Sequence, residues 1–487
     1  MKKLNGLFCV AIIMTALVSG VATANRVHAN SLNPLALLDV NGQPAVATDS
    51  SDNVTITWGY LGLGNIPGIL AKRYNSAGTP IDNVGFWVSS SFAAPSIFNY
   101  DPDIATDSSG NSIIAWCAYE FSSPAQDIQV VYKKVSPPTA TSSLDAAPAM
   151  HAISPQQDEI NLLNIPFAPV VAVDSSDNIA LAWNYYDFES GENGILLTVI
   201  SSSGTAIDPV KVVSNVPETT TTNSLQESSL NGSGKEKAGV TATETTPTAT
   251  LYYAPAIAFD GEGNIVITYT GTGMLPFFED EESGDIPLTA VFYSKYTASG
   301  SVVTGYDKQT VAIGLLSTVE VDSSGNMIIA WNTFDIFTLK VRIMSAIYPA
   351  DESSARKVFE VGVRPDSAPS AFVDTGDNFF NMGIAIAADT EDNFFVAWGG
   401  SNFFGSHIYF KEIYSDGYYL SNEVQVSQGF DLNYVPDIAT DSQGNVIITW
   451  NRFSLADLFT GAFSVYARRF DNTLQALGDE FKVNISY

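Results

Sequence analysis

Basic residues are scarce in this 487-residue sequence, which has 22 Lys and Arg against 52 Asp and Glu and a formal charge of −30. A surface of this charge repels the phosphate backbone of nucleic acids and the headgroups of anionic lipids. We therefore expect neither nucleic acid nor an anionic membrane surface as a partner. Divalent cations and neutral sugars are compatible with this charge.

Histidine, cysteine and long apolar runs are also rare. Beyond residue 30 there are two histidines, His151 and His407, and one cysteine, Cys117. This excludes a histidine-rich metal site, and a Ser-His-Asp triad would need one of the two histidines. A single thiol forms no internal disulfide, and Cys117 in an apolar stretch is expected to be buried and inert. No later segment approaches roughly 20 continuous apolar residues, so we expect no membrane insertion.

One apolar run lies near the N-terminus, at positions 7–18. Two lysines precede it, and small residues follow with cleavage sites after Ala24 or Ala29. This order is typical of a signal peptide, so we expect residues 1–29 to be removed and the protein to be secreted, periplasmic or at the cell surface. Removal would bring the formal charge to −33, because residues 1–29 hold three basic residues and no acidic one.

The feature that is abundant is an internal repeat. Seven times an Asp is followed four residues later by Asn and nine residues later by a large aromatic residue, and six of the seven tryptophans occupy that last position. The pairs of motif Asp and motif aromatic are Asp49 and Trp58, Asp107 and Trp116, Asp174 and Trp183, Asp260 and Tyr269, Asp322 and Trp331, Asp389 and Trp398, and Asp441 and Trp450. Repetition at this level determines the architecture.

The motif reads as two antiparallel strands joined by a tight turn. Short alternating apolar runs flank an Asp-x-x-Gly/Asp-Asn segment, as in positions 436–450, PDIATDSQGNVIITW. The Asp is expected to cap the turn by accepting backbone N–H groups, because one carboxylate and one amide are too few oxygens for calcium. Third and fourth strands are predicted downstream, for example at 408–413 and 423–427 or at 465–470 and 480–485.

Successive motif Asp residues lie 58, 67, 86, 62, 67 and 52 residues apart, which is room for four strands and their loops. Four-stranded units repeated radially form a propeller. The sequence therefore predicts an all-β fold, a seven-bladed β-propeller of four-stranded antiparallel blades. Residues 30–487 are expected to form this single domain, interrupted by a disordered Thr/Ser/Glu-rich insertion at about 217–250.

Aromatic and acidic residues near the ends of the second strands are candidate ligand-binding residues. Four repeats place an aromatic residue three positions after the motif aromatic, and an acidic residue follows in several of them. Such rings could stack on sugars or contact a protein, or they could pack between neighbouring blades. The candidates are Tyr119, Tyr186, Asp187, Phe334, Asp335 and Phe453.

Two loops between the second and third strands occur only once and add further candidates. Repeat six has a Gly-, Asn- and Phe-rich segment at 399–407, predicted as a loop that includes Phe403, Phe404 and His407. Repeat four has an acidic loop whose oxygens could bind calcium, although it lacks EF-hand spacing and a solvated loop is the alternative. Its residues are Glu279, Asp280, Glu281, Glu282 and Asp285.

The repeat resembles the propeller-forming repeats of secreted bacterial proteins, in which a Pro-x-Val-Ala-x-Asp-x-x-Gly-Asn segment runs into a strand ending in Trp and later into an Arg-Phe-Asp strand, here at 467–471, ARRFD. The resemblance covers essentially the whole mature chain and implies the fold and a binding role, with no defined activity. Sialidases and quinoprotein dehydrogenases also have repeated Asp turns. The turn spacing and the arginine triad of sialidases are not matched here. The Thr-Gly-Lys turn and the paired cysteines of quinoprotein dehydrogenases are not matched either.

Three functional hypotheses follow. The leading one is an exported, non-enzymatic, monomeric binding module with a glycan or protein ligand at the loop-rich face and no required cofactor. The first alternative is a carbohydrate-active enzyme, a glycosidase or lyase, which uses carboxylates in the central cavity. The second is a surface or matrix protein stabilised by calcium.

Overall fold

The chain folds into seven antiparallel sheets that follow one another in sequence order. In this computed structural model the described residues are 40–41, 43–61, 68–89, 97–120, 128–137, 151–152, 167–186, 192–207, 209–215, 249–275, 286–335, 340–350, 357–361, 383–402, 405–414, 421–429, 431–454 and 464–484. Six sheets have four strands, and the first has five because the short β1 (Val40–Asn41) also joins it. The predicted all-β, seven-bladed propeller is confirmed.

Each blade contributes one innermost and one second strand. The innermost strands are β2 (Ala45–Thr48), β6 (Ile97–Thr106), β10 (Phe167–Val173), β14 (Ala249–Phe259), β18 (Leu315–Val321), β22 (Ile384–Ala388) and β26 (Leu432–Thr440). The second strands are β3 (Val54–Leu61), β7 (Ser112–Glu120), β11 (Ile179–Tyr186), β15 (Ile265–Leu275), β19 (Met327–Asp335), β23 (Asn393–Asn402) and β27 (Val446–Phe453).

The third and outer strands complete each blade. The third strands are β4 (Gly68–Tyr74), β8 (Ile128–Val135), β12 (Asn193–Ile200), β16 (Ile286–Tyr296), β20 (Lys340–Tyr348), β24 (Gly405–Tyr414) and β28 (Ser464–Phe470). The outer strands are β5 (Phe86–Trp87), β9 (His151–Ala152), β13 (Val210–Asn215), β17 (Gln309–Ile313), β21 (Lys357–Glu360), β25 (Val424–Gln425) and β29 (Phe481–Lys482). We number the blades 1 to 7 in this order.

Seven hydrophobic clusters hold the blades together, one at each interface between neighbours. Each motif aromatic packs in the cluster that its blade shares with the preceding blade. Trp58 of blade 1 thus packs with Ile447 and Val465 of blade 7, which closes the ring. The six motif tryptophans and Tyr269 are no more than 2% exposed. Burial of large aromatic side chains at every interface explains why this position of the repeat is so uniform.

The seven motif Asp residues cap the turns between innermost and second strands, as the spacing predicts. In blade 1, Asp49 Oδ1 accepts the backbone N–H groups of Ser51 and Asn53 at 2.8 and 2.9 Å. The Asn53 side chain donates back to Asp49 Oδ2 at 2.9 Å. These bonds satisfy polar groups that the turn would otherwise leave unpaired. The side chain of the motif Asn therefore holds the Asp carboxylate in the position in which it caps the turn.

A second carboxylate in three of these turns joins neighbouring blades. Asp52, Asp177 and Asp392 stand third after the motif Asp, with φ of 61°, 63° and 65°. Asp52 of blade 1 accepts the backbone N–H and hydroxyl of Ser442 in blade 7 at 2.8 and 2.9 Å. Asp177 makes the same pair of bonds to Ser108 of blade 2, and Asp392 accepts two serine hydroxyls of blade 5. We call these three residues the latch aspartates. Four blades have Gly at this position, namely Gly110, Gly263, Gly325 and Gly444.

Buried cations on the third strands provide another inter-blade contact. Lys133 is 5% exposed and its Nζ donates to the carbonyl of Val88 in the preceding blade at 2.8 Å. Burial lowers the pKa of this lysine, as it does for Lys72 and Lys411. The equivalent bonds run from Lys72 to Val483, from Lys411 to Val361 and from Arg468 to Val426. Each cation satisfies a carbonyl just beyond the neighbour's outer strand.

The structure corrects one prediction and leaves others unexamined. The loop expected at 399–407 is much shorter, because β23 runs through Asn402 and β24 begins at Gly405. Cys117 lies fully buried between blades 2 and 3, and burial raises its thiol pKa well above the usual range, as expected for an inert thiol. The expected signal peptide and the segment 217–248 lie outside the described residues. Within those residues, no helix is long and apolar enough to cross a membrane.

We expect Asp52→Gly to destabilise the protein more than Asp177→Gly or Asp392→Gly. All three changes remove a latch and introduce the residue that other blades carry there, so backbone strain and chain entropy change alike. Each should lose about 1–2 kcal/mol of hydrogen bonding. Only the latch of Asp52 joins blades that are not consecutive in the chain. Thermal unfolding midpoints and unfolding rates measure this difference, and equal effects at the three positions would contradict it.

Candidate active site

The seven innermost strands form a closed ring around the propeller axis, each contacting the innermost strand of both neighbours. They therefore surround a central channel. At the face of the motif Asp turns, a cavity of about 390 Å³ lies where the innermost strands of blades 1, 2 and 3 end. Its lining is polar and consists of Thr48, Asp49, Ser50, Thr106, Asp107, Ser108, Val173, Asp174 and Ser175.

Two innermost strands carry an Asp four residues before the motif Asp. These are Asp103 in blade 2 and Asp437 in blade 7, which flank blade 1. Asp437 Oδ2 accepts the backbone N–H of Val46 in blade 1 at 2.7 Å, and Asp103 Oδ2 accepts that of Val171 in blade 3 at 2.7 Å. Each carboxyl is thus held at the inner edge of the next blade. The other five blades have small or uncharged residues here, namely Ala45, Val170, Ala256, Thr318 and Ala385.

A kink in the backbone precedes both carboxyls. The register of β6 against β7 shifts between Tyr100 and Asp103, and that of β26 against β27 shifts between Tyr434 and Asp437. Such β-bulges bend a strand and change the direction of adjacent side chains. At the bulges lie residues with left-handed backbone conformation, Asp101 with φ of 52° and Val435 with φ of 49°. Ala168, Ala254 and Leu316 repeat this conformation in blades 3, 4 and 5.

The two carboxyls are poor acids in this setting. Burial raises the pKa of Asp103 to about 6, against the effect of hydrogen bonds from the Val171 and Ile104 amides. Burial also raises the pKa of Asp437 to about 7, and the negative charge of Asp103 adds to this rise. Since the charge of one carboxyl acts on the other, the two groups titrate as a pair. Near neutral pH the pair holds a proton that an exposed carboxyl would have lost.

Blade 5 places a third such carboxyl on the ring. Glu320 lies two residues before the motif Asp, and burial with the nearby charge of Asp322 raises its pKa to about 7. Its Oε1 accepts the backbone N–H of Val321 at 3.2 Å. The other six blades have Ala at this position, namely Ala47, Ala105, Ala172, Ala258, Ala387 and Ala439.

Asp103, Glu320 and Asp437 are not among the candidates that the repeat pattern singles out. They occupy innermost strands, which the sequence identifies as scaffold. Their signal is a departure from the consensus: an acidic residue stands where the same repeat elsewhere carries a small or apolar residue. A repeat tolerates such a charge in its interior only where the site compensates it or uses it.

The candidates chosen from the sequence do not lie on the innermost strands. They lie at the ends of the second strands that are farther from the motif Asp turns. The second strands extend through Tyr119, Tyr186, Phe334, Asp335 and Phe453, so these residues are strand positions paired within their own blades. No finding tests a ligand-binding role for them, and that role stays a prediction. Asp187, Phe403, Phe404 and the acidic residues Glu279, Asp280, Glu281, Glu282 and Asp285 lie outside the described residues.

His407 is the only one of the two late histidines with a described side-chain environment. It is half-buried in β24, with Nδ1 3.3 Å from Gln425 Nε2 and its ring edge-on to Tyr409. Burial and the positive charge of Arg452 lower the pKa of its imidazole. Within the part of the chain that the structure describes, no group of three or more His, Cys, Asp or Glu residues could hold a metal ion. Calcium binding by the acidic loop stays a prediction.

Comparison with known proteins adds the fold and little else. No family model matches the chain. No curated protein sequence matches it either. Solved structures with the same fold include a Dyadobacter fermentans protein of unknown function, with 9% identity over 89% of this chain and 94% of that one and a TM-score of 0.42. An α-L-arabinofuranosidase from Fusarium graminearum has 11% identity over 76% and 89%, with a TM-score of 0.40. A polysaccharide lyase has 10% identity over 88% and 90%, with a TM-score of 0.48.

The expectation of a non-enzymatic binding module is wrong as the leading hypothesis. The similar propellers whose descriptions state an activity are an α-L-arabinofuranosidase and a polysaccharide lyase, both of them enzymes. At this level of identity the likeness itself shows the fold alone. In this chain, Asp103 and Asp437 lie on innermost strands, which surround the channel.

We expect Asp437→Asn to flatten the pH dependence of stability between about pH 4 and pH 7. The unfolded chain ionises this residue near pH 3.9, whereas the folded protein keeps its proton up to about pH 7. The wild type should therefore lose stability as the pH rises through this window, by on the order of 1 kcal/mol per unit of pKa difference. Asn still accepts the Val46 amide.

Denaturant unfolding at the two ends of this pH window measures the effect. Thr318→Ala, at the equivalent position of blade 5, is the control, because it removes no titratable group and should keep the wild-type pH dependence. If Asp437→Asn also keeps it, the Asp437 carboxyl is ionised at the same pH in the folded and unfolded chains, contrary to this account.

Proposed function

We propose that this protein is a carbohydrate-active enzyme that uses Asp103 and Asp437 of the central channel as its acid and base. The observation that carries the proposal is the pair itself: two half-buried carboxyls on the innermost strands of blades 2 and 7, each held by a backbone amide and coupled by charge. Cleavage of a glycosidic bond needs one group that donates a proton and one that accepts a proton.

Repulsion between the two carboxyls favours a state in which one of them keeps its proton. We infer that Asp437 is the protonated member and Asp103 the ionised one, because burial raises the pKa of Asp437 and the negative charge of Asp103 raises it further. Asp437 then donates its proton to the oxygen of the departing sugar, and Asp103 accepts a proton from the attacking group. The hydrogen bonds from Val46 and Val171 fix both carboxyls in place before substrate arrives.

Blade 1 separates the two carboxyls with small side chains. Its innermost strand presents Ala45 and Ala47 at the positions where blade 2 has Asp103 and Ala105. Small side chains take up little space beside the channel, which supports a position for a sugar ring between the acid and the base. We infer that the sugar at the point of cleavage lies against the innermost strand of blade 1.

The setting of the enzyme is part of the proposal. The residues at 1–29 have the order of a signal peptide, and the repeat is similar to that of secreted bacterial propellers, so we propose export to the periplasm, cell surface or medium. The partner is a glycan, and the net charge of −30 disfavours nucleic acid. A closed ring of seven blades buries its interfaces within one chain, which is consistent with a monomer.

We expect Asp103→Asn and Asp437→Asn each to lower kcat/KM on a cleaved glycan at least 100-fold, because each removes a proton-transfer group and preserves the amide contact. The wild-type pH profile should be bell-shaped with a maximum between about pH 6 and 7, set by the two pKa values. Asp103→Asn should remove the acid limb of this profile, and Asp437→Asn the alkaline limb.

Release of reducing or unsaturated ends from a glycan panel measures the activity. The control is Asp392→Gly, whose carboxylate contacts blade 5 and not the residues that line the cavity, and which should retain wild-type turnover at a temperature where it is folded. Full activity in either Asn variant, with an unchanged pH profile, would exclude the pair as the catalytic groups.

A further inference from the structure

In the described part of the chain, acidic residues occur on innermost strands and further out, whereas basic residues occur only outside the innermost strands. The described innermost strands contain the carboxyls of Asp101, Asp103, Glu320 and Asp437. The basic residues of the described chain all lie on the second, third or outer strands or their connections. They are Lys72, Arg73, Lys133, Lys134, Lys211, Lys295, Lys308, Lys340, Arg342, Lys357, Lys411, Arg452, Arg468, Arg469 and Lys482.

Several of these basic residues are already engaged in the scaffold. Lys72, Lys133 and Lys411 are buried and directed to carbonyls at the outer strands of the preceding blades. Arg452 forms a two-pronged ion pair with Glu480, which directly precedes β29, and lies 3.9 Å over the Tyr466 ring. Arg73 pairs with Asp82 at 2.8 Å. Moving any of these cations into the channel would leave a buried carbonyl or carboxylate without its partner.

We propose that the channel selects glycans that carry no carboxylate or sulfate groups, and that it cleaves them by hydrolysis. This inference rests on the proposed function and adds to it the substrate class. An anionic sugar bound between the half-buried carboxyls of Asp103 and Asp437 would bring like charges close together, which raises its free energy of binding. Glu320 adds a third negative charge to the same ring whenever it is ionised. An uncharged sugar meets no such repulsion, and its hydroxyls can donate hydrogen bonds to the carboxylates.

The same separation of charge distinguishes the two reactions open to a carbohydrate-active enzyme. In hydrolysis the oxygen of water bonds to the anomeric carbon and the bond to the departing sugar breaks. One proton passes from Asp437 to the departing oxygen, and one passes from the water to Asp103. The transition state of this reaction has positive character. The ionised Asp103 supplies the negative charge that stabilises it, and no further charged group is required.

Elimination from a uronate sugar makes a different demand. A base removes the proton next to the sugar carboxylate, and the extra negative charge that develops there needs a positive group or strong hydrogen-bond donors to stabilise it. Where this negative charge would develop, the innermost strands carry carboxyl groups and not positive groups. The ring therefore stabilises the positive charge that develops in hydrolysis and opposes the negative charge that develops in elimination.

The test compares two sets of polysaccharides with the purified mature protein at pH 6.5 and low salt. The uncharged set is arabinan, galactan, mannan and β-glucan, and the anionic set is polygalacturonate, alginate and ulvan. New reducing ends report hydrolysis, and the ultraviolet absorbance of an unsaturated product reports elimination. We expect new reducing ends from at least one uncharged glycan, no ultraviolet product, and at least 100-fold slower cleavage of every anionic glycan.

The outcomes separate the inference from the proposed function. Efficient cleavage of an anionic glycan that is lost in Asp103→Asn would overturn the charge selection and leave the catalytic pair standing. Cleavage that is insensitive to both Asn variants would overturn the proposed function. Failure to cleave any member of either set would overturn both.

A second measurement isolates the charge of the ring. Anionic oligosaccharides should inhibit cleavage of the uncharged substrate only weakly, and Glu320→Gln should strengthen this inhibition at least three-fold at low salt. The gain should shrink as salt is added, because added ions screen charge. The matched control is Glu412→Gln on the third strand of blade 6, which should leave this inhibition as it is in the wild type. An inhibition constant that does not change in Glu320→Gln would contradict electrostatic exclusion by the ring.

Discussion

The unpaired inner edge of the innermost strands is the constraint on which the rest of this structure depends. Each innermost strand pairs with the second strand on one side only, so its other edge presents backbone N–H and C=O groups to the ring. Side chains of neighbouring blades satisfy part of this edge. Asp437 accepts the Val46 amide, and the Thr48 hydroxyl donates to the Thr440 carbonyl at 2.5 Å. Thr440 in turn donates to the carbonyl of Ala388 at 2.5 Å.

This solution also closes the ring. In the described part of the chain, no strand of blade 7 joins the sheet of blade 1, so the first and last blades are held by side chains rather than by a shared sheet. The interface combines the buried cluster around Trp58, the bond from Lys72 to the Val483 carbonyl, and the latch of Asp52. The same three kinds of contact recur at other interfaces. Ring closure therefore requires no special element and follows from the ordinary geometry of the repeat.

The architecture could be predicted from the sequence because its determinants recur. The motif aromatics and motif Asp residues appear seven times at fixed spacing, and they fill the blade interfaces and cap the turns. The latch aspartates were harder to recognise, because the consensus treats Gly and Asp at that position as equivalent residues for a left-handed turn. Their second role depends on a serine of the preceding blade, about 69 residues away in sequence for Asp177 and Ser108. Contacts of this range are set by the assembled ring.

The residues of the candidate site could not be predicted from the repeat, because they do not recur in it. A repeat directs attention to what is constant, whereas Asp103, Asp437 and Glu320 occur at positions where the other copies differ. The aromatic residues chosen instead do recur with the repeat, at the ends of the second strands. In a repeat protein, residues that maintain the fold are the ones shared by all copies, and chemistry has to come from those that are not.

Stability gives the final reason to treat the carboxyls as functional. Three blades have Ala where blades 2 and 7 have Asp, and six have Ala where blade 5 has Glu, so the fold does not require an acid at either position. Burial raises the pKa of all three groups, which means that the folded protein is less stable when they are ionised. Asn would accept the same backbone amide without this loss. Retaining ionisable groups that oppose folding, on the strands that surround the channel, is what a site that transfers protons requires.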